Sequence, residues 1–236
     1  MTSWAARRFW TDTTVVKADG GYRISLDGRL VSTPAKAPLL LPTKSLADAV
    51  ASEWAAQEGK IDPRQMPFSC SANSAIDRVM PQFDEVASLI AAYGGSDLLC
   101  YRAPHPQELK HRQSEAWDPL LGWAHQTFGV RLAVTEGIAP VSQAEADLTK
   151  LATRVQGFSA FELVAVHDLV ALSGSLILGL AAAAGYASAD YLWSLSRIDE
   201  DWQTEQWGED EEATQTADRK RREFLHAYRF FTLCVE

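Results

Sequence analysis

The beginning of the chain carries the hydrophobic pattern of β-strands. Residues 13–18 are rich in β-branched side chains, and residues 22–26 alternate polar and apolar positions with a period of two. An Asp-Gly dipeptide follows directly, and this pair favours a type I′ turn in which both central residues take positive φ. We therefore expect residues 29–33 to pair back on residues 22–26, with residues 39–41 as a short fourth strand or an extended edge.

The period changes to that of a helix at Thr43. This threonine is a candidate N-cap, and apolar residues recur every four positions until about residue 58, where a glycine follows. Residues 60–67 contain two X-Pro pairs, which break a helix and favour a linker. We place a domain boundary there, which predicts a β-rich N-terminal domain with one helix at residues 1–60 and a helical C-terminal domain at residues 61–236.

The rest of the sequence is mostly helical in pattern. The candidate helices are residues 71–79, 82–93, 106–128, 142–156, 159–185, 188–206 and 210–232, and the strand-like pieces are residues 97–102 and 131–135. The predicted fold class is α+β, with a small antiparallel β N-terminal domain followed by a larger, mainly α-helical C-terminal domain.

One apolar run is long enough to be tested as a membrane span. Residues 169–189 contain no charged side chain, and these 21 positions meet the length requirement. The run is only mildly apolar, since it is rich in Ala, Ser and Gly, and no Lys or Arg flanks it. We expect a central helix packed on all sides rather than a membrane span.

Charge and cysteine content exclude several classes of protein. The 236 residues carry a formal net charge of -9, which argues against unspecific nucleic-acid binding and against docking on an anionic membrane. The three cysteines form no CxxC pair, so we expect no disulfide or zinc framework and a reducing compartment. The N-terminus has no apolar run long enough for a signal peptide. A cytoplasmic protein is predicted.

Signatures of catalysis are nearly absent from the sequence. It contains no GxGxxG, Walker A or GxSxG pattern, so we expect neither an enzyme nor a bound cofactor. Two ExxH motifs, Glu108 with His111 and Glu223 with His226, are the exception. Two such pairs on helices would supply part of a dinuclear metal site, so a metal enzyme of the helical-bundle type is the alternative function. His167 is interpreted as a core histidine.

Acidic residues concentrate between residues 199 and 212. Eight acids fall within these fourteen positions, and Trp202 and Trp207 are interleaved with them. Solvated helix faces, with acids at a helix N-terminus, would explain the pattern. A surface that docks a partner protein would also explain it, because aromatic residues beside charges are typical of interface anchors.

Short motifs along nearly the whole chain, from about residue 7 to residue 232, resemble the ATP12-type family of F1-ATPase assembly chaperones. The motifs are Arg7-Arg8-Phe9-Trp10, Leu26-Asp27-Gly28-Arg29, Thr33-Pro34-Ala35-Lys36, Glu53-Trp54, Ala72-Asn73-Ser74-Ala75-Ile76-Asp77, Asp97-Leu98-Leu99-Cys100-Tyr101-Arg102, Trp117-Asp118-Pro119, and Ser196-Arg197 through Trp207-Gly208. The resemblance implies a non-enzymatic chaperone that binds the unassembled α subunit of F1 ATP synthase, masks its apolar interface and hands it on for assembly. The resemblance also implies a bacterial member of the family, whereas eukaryotic relatives act in the mitochondrial matrix.

The resemblance also points to one acid. A functionally important acid of the family matches Asp190, although capping of its helix by Ser188 would by itself explain an acid there. The predicted partner-binding residues are Asp190, Asp199, Glu200, Trp202, Glu205 and Trp207, and no catalytic or metal-binding residue is predicted.

Overall fold

The computed structural model describes residues 7–236, so the first six residues of the predicted N-terminal domain lie outside the described residues. The strands are β1 Thr13–Ala18, β2 Gly21–Leu26, β3 Arg29–Leu30, β4 Tyr101–Arg102 and β5 Thr135–Glu136. The α-helices are α1 Lys44–Ala55, α2 Pro67–Ser74, α3 Phe83–Ala92, α4 Gln107–Phe128, α5 Glu145–Gln156, α6 Ala160–Ser173, α7 Leu176–Ala183, α8 Ala189–Leu195, α9 Ile198–Trp207 and α10 Glu211–Val235. This confirms the predicted α+β class, with a small antiparallel sheet first and helices after it.

Strands β1, β2 and β3 form an antiparallel sheet in that order. The tight turn after β2 is the predicted one, since Asp27 and Gly28 have φ of 46° and 83°. Strand β3 pairs over only two residues, so it is shorter than predicted. Leu41 continues the pairing as a single antiparallel bridge to Tyr22, which corresponds to the predicted extended edge.

Local capping explains where α1 and α2 begin. Thr43 is the N-cap of α1, as predicted, and its hydroxyl accepts a hydrogen bond from the Leu46 amide at 3.2 Å. The buried Glu53 carboxylate of α1 accepts the amides of Phe68 and Ser69, at 2.7 and 2.8 Å, in the first turn of α2. Burial raises the pKa of Glu53, while its hydrogen bonds oppose that shift.

The chain divides into two compact units. One takes in the chain up to Phe83 together with Ser159–Ala165 and Arg229–Glu236, and the other consists of Asp84–Phe158 and Val166–Tyr228. The predicted boundary after residue 60 concerns folding domains and stays a prediction.

The uncharged run at residues 169–189 is divided among α6, α7 and the start of α8. Gly174 takes a positive φ of 73° and ends α6, and Ser175 caps α7 by accepting the Leu178 amide at 3.0 Å. The prediction of one helix over residues 159–185 is therefore wrong. All seven residues from Leu176 to Ala182 are buried, in keeping with the packed-helix interpretation. No helix within residues 7–236 has the length and apolar character needed to cross a membrane.

The strand predicted at residues 97–102 is observed only at Tyr101–Arg102, and its first half is a 3₁₀ turn that begins after the buried Asp97. Asp97 is fully buried, and its two carboxylate oxygens accept the amides of Leu99 and Ile177, each at 3.0 Å. The first bond starts a 3₁₀ turn and the second caps the N-terminus of α7. Burial raises the pKa of Asp97, and the hydrogen bonds oppose the shift.

His167 is not the core histidine that was predicted. Its side chain is 53% exposed, and its Nδ1 lies 2.9 Å from Oδ1 of Asp168. That hydrogen bond raises the pKa of His167 above its usual 6.5, against a smaller opposing effect of burial. Position 167 is exposed, and the sequence concealed this because apolar residues are distributed all around α6.

The His167–Asp168 pair predicts a pH-dependent contribution to stability. Because the native pKa is raised, the contribution is complete below the unfolded pKa and is lost as the pH rises through the native value. We expect the melting-temperature gap between the wild type and His167→Gln to be larger at about pH 5.5 than at about pH 8.5. His226, whose pKa is lowered by burial, is present in both proteins, so its own titration contributes to both melting curves. Thermal unfolding by circular dichroism gives the gap, and a gap independent of pH would contradict the assignment.

Candidate functional site

Helices α9 and α10 meet at a tight connection that forms one side of an open groove. Gly208, with φ of 88°, ends α9, and Asp210 starts α10 by accepting the Ala213 amide at 2.7 Å. The acid-rich sequence thus has a local structural reason, since carboxylates stabilise helix N-termini. The same arrangement also gathers acids from both helices around one depression.

We call this depression the acidic groove, and its volume is about 580 Å³. It is lined by Arg112, Arg197, Glu200, Asp201, Gln203, Thr204, Glu205, Trp207, Gly208, Glu209, Asp210, Ala213, Thr214, Ala217 and Asp218. Six of these side chains are acids and two are arginines, so the groove is strongly negative.

Both arginines of the groove are already neutralised. Arg112 Nη1 donates to both carboxylate oxygens of Glu205, at 2.8 and 2.9 Å, and Arg197 Nη1 donates to Glu200 at 2.6 Å. Among the described residues, the other four acids of the groove form no ion pair. A ligand that enters the groove therefore meets uncompensated negative charge, which favours a basic partner.

The pKa of Asp201 reflects its burial and the charges of the groove. Partial burial is the main reason that its pKa is raised, and Glu205 contributes in the same direction, while Arg197 and Arg112 oppose it. A cation placed in the groove would favour the ionised form of this carboxyl group and lower its pKa again.

Trp207 gives the groove an apolar anchor. It is the last residue of α9, and 79% of its surface is exposed. Tryptophan is enriched in the energetically dominant positions of protein interfaces. The groove therefore combines negative charge with an exposed aromatic ring.

The structure brings together three of the predicted partner-binding residues. Glu200, Glu205 and Trp207 all line the groove. Trp202 is half-buried and is not among the lining residues. Asp199 accepts a hydrogen bond from the buried amide of Gln113 at 2.5 Å, which gives it a structural role in joining α9 to α4. Partner binding by these residues stays a prediction.

Asp190 lies in the first turn of α8 and does not line the groove. Ser188 caps that helix, as predicted, by accepting the Tyr191 amide at 3.3 Å. The exposed Asp190 carboxylate accepts a hydrogen bond from Arg221 of α10. The residue therefore has both a favourable position at a helix N-terminus and an ion-pair partner, and its role in partner binding stays a prediction.

The arginine that α4 contributes to the groove, Arg112, was not predicted from the sequence. Arg112 lies 93 positions before its partner Glu205, and no local pattern connects the two. The small residues Ala213 and Ala217, one turn apart on α10, were also missed. Their spacing of four was a visible signal, since small side chains on one helix face leave room for a groove.

The two ExxH motifs do not form a metal site. Within residues 7–236, no group of three or more His, Cys, Asp or Glu side chains could hold a metal ion. His111 instead lies 3.2 Å from Glu115 on the surface of α4, with 74% of its side chain exposed. The dinuclear alternative therefore loses the geometry on which it depended.

Comparisons with known proteins agree with the motifs. The profile of the family described as "ATP12 chaperone protein" matches residues 7–125. A crystal structure of Atp12 from Paracoccus denitrificans is 48% identical, covers 97% of this chain and 98% of that chain, and superposes with a TM-score of 0.95. A putative chaperone from Agrobacterium tumefaciens is 38% identical, with 98% and 86% coverage and a TM-score of 0.90. The mitochondrial protein atp12 of Schizosaccharomyces pombe is 22% identical over 98% of this chain and 83% of its own length.

Fold and relatives together define a chaperone of the α+β class. More particularly, the chain belongs to the ATP12 chaperone family, whose members serve F1-ATPase assembly. The resemblance inferred from the sequence motifs is thereby confirmed.

Proposed function

We propose that this chain is a non-enzymatic chaperone that binds the unassembled α subunit of F1 ATP synthase, covers an apolar interface of it and releases it on assembly. The observation that carries the proposal is the acidic groove, in which exposed Trp207 lies near four carboxylates that form no ion pair within residues 7–236. An open groove of this kind suits a polypeptide better than a small substrate, which is usually enclosed by apolar walls.

Charge decides what kind of surface the groove would accept. A chain of net charge -9, with acids concentrated at one groove, attracts basic segments and repels acidic ones over about 8 Å at physiological salt. The partner surface is therefore expected to combine Lys or Arg side chains with an apolar patch that covers the indole ring of Trp207. Exposed apolar surface of an unassembled subunit is also what makes it aggregate, so covering it is a sufficient chaperone activity.

Light scattering of the F1 α subunit tests this function. We expect an equimolar amount of the wild-type chain to suppress aggregation of the diluted α subunit, without any added nucleotide, and to have no effect on the F1 β subunit. Suppression that fails, or that is equal for both subunits, would refute the proposal of a specific α-subunit chaperone.

A charge reversal in the groove is expected to reduce the suppression. Glu209→Lys places a cation beside the uncompensated acids, so association with a basic partner should slow by about tenfold and become less sensitive to salt. Glu58→Lys is the matched control, because it reverses an exposed acid outside the groove. Stopped-flow association rates at two salt concentrations give the answer, and equal effects of the two variants would exclude the groove.

A further inference from the structure

A second pocket, of about 670 Å³, lies between α4 and strand β5. It is lined by Arg102, Lys110, Ser114, Asp118, Val134, Thr135 and Glu136. Lys110, Ser114 and Asp118 are spaced by four positions along α4 and therefore lie on one face of that helix. None of these residues belongs to the acidic groove.

Arg102 is the buried member of this pocket. Its side chain is 3% exposed and its guanidinium carbon lies 4.9 Å from the ring centre of the buried Trp117. Nη2 donates to Oδ1 of Asp118 at 2.6 Å, whereas Nη1 is buried and has no hydrogen-bond partner among the described residues. An unsatisfied buried donor of a charged group is costly, so an acceptor that reaches Nη1 would gain that free energy on binding.

The other charged residues of the pocket indicate which kind of anionic group would bind Arg102. Lys110 forms an ion pair with Glu136, and Arg102 forms one with Asp118, so the two positive and two negative charges cancel. A dianion such as phosphate would meet two carboxylates, whereas a planar carboxylate matches the fork of a guanidinium and carries a single charge. Asp118 is 62% exposed, so its own carboxylate can turn into water when an incoming carboxylate replaces it on Nη2 of the buried Arg102.

Exposed apolar side chains next to these charges indicate that the carboxylate belongs to a polypeptide. Val134 lines the pocket and is 45% exposed, and Ile138, two residues beyond Glu136, is 98% exposed. A peptide held by its carboxylate would cover these side chains with its neighbouring residues, which a free small acid would not do.

We propose that this pocket binds a carboxylate group of a partner polypeptide, which Arg102 holds through both Nη atoms after Asp118 has turned to solvent. The inference does not depend on the acidic groove, because the two sites share no residue.

Paired peptides test the proposal on the full chain. N-acetyl-Val-Leu-Glu-amide and its Gln counterpart differ only in a side-chain carboxylate, and N-acetyl-Val-Leu-Ala with a free or an amidated terminus differ only in a terminal one. The indole N–H of Trp117, which donates to the Leu195 carbonyl at 2.8 Å, reports binding beside Arg102 in ¹H–¹⁵N titrations. We expect at least one acid member to bind about tenfold or more tightly than its neutral partner, and the pair that discriminates identifies the source of the carboxylate.

Two variants give opposite predictions. Arg102→Lys keeps the positive charge but loses the planar guanidinium with its two parallel N–H donors, so the acid peptide should bind about tenfold more weakly. Asp118→Asn removes the competing carboxylate, so the acid peptide should bind several-fold more tightly. If Asp118 instead only holds Arg102 in place, the same variant should bind the acid peptide more weakly. If circular dichroism shows that Arg102→Lys does not fold, Asp118→Asn and the peptide pairs still decide. Equal binding of acid and neutral peptides, or tighter binding of inorganic phosphate, would overturn the proposal.

Discussion

Trp207→Ala is expected to weaken binding of the F1 α subunit by about 30-fold or more while leaving the fold intact. Trp207 is 79% exposed in the free chain, so removal of its indole ring costs little stability. Aromatic anchors that become buried at the centre of an interface contribute about 2 kcal/mol or more, which corresponds to that factor. Most of the change should appear in the dissociation rate, since the charges that steer the encounter are unchanged.

Surface plasmon resonance with immobilised α subunit measures this effect. Leu89→Ala is the matched control, because Leu89 is 61% exposed on α3 and lies outside the acidic groove. The control should retain wild-type affinity. Trp207→Ala with unchanged affinity would show that the groove does not contact the subunit, even if the chain proves to be its chaperone.

Asp97→Ala is expected to lower the free energy of unfolding by about 3 kcal/mol or more. The change leaves the amides of Leu99 and Ile177 without their acceptors, and each buried unsatisfied donor costs about 1–3 kcal/mol. The small cavity left by the carboxylate adds to this cost. Asp97→Asn, which keeps one acceptor oxygen, should lose roughly half as much.

Urea unfolding followed by circular dichroism provides the measurement. Asp84→Ala is the control, since Asp84 is an exposed acid in the first turn of α3 and its loss should cost only a few tenths of a kcal/mol, about 0.5 at most. A loss of stability for Asp97→Ala no larger than that of the control would contradict the role of Asp97 as the cap of α7.

Local interactions explain which parts of the fold were predictable. The hairpin of β2 and β3 follows from one dipeptide that tolerates positive φ, and α1 begins at a threonine whose hydroxyl reaches its own first turn. Both are decided by atoms a few positions apart. The break at Gly174 was not predicted, because residues on both sides of it are apolar and hydrophobic periodicity alone does not reveal an N-cap such as Ser175.

The residues of the candidate sites were likewise predictable only where they are close together in the sequence. Glu200, Glu205 and Trp207 were predicted from a cluster that is local in sequence, and they do line one groove. Asp199 belongs to the same cluster, yet its carboxylate is engaged by Gln113. The pocket around Arg102 gave no signal beyond the two family motifs that contain Arg102 and Asp118, because its members come from β4, α4 and the region of β5.

The sequence by itself determined the family, the α+β class, the hairpin, the caps at Thr43 and Ser188 and the concentration of acids near Trp207, since each depends on neighbouring residues or on a motif. Only the tertiary structure decided which acids are paired, that Trp207 is exposed and that Nη1 of Arg102 is buried without an acceptor within residues 7–236. Ion pairs such as Arg112–Glu205 join residues 93 positions apart. Such contacts depend on how the helices pack, and packing is not encoded in any short stretch of the chain.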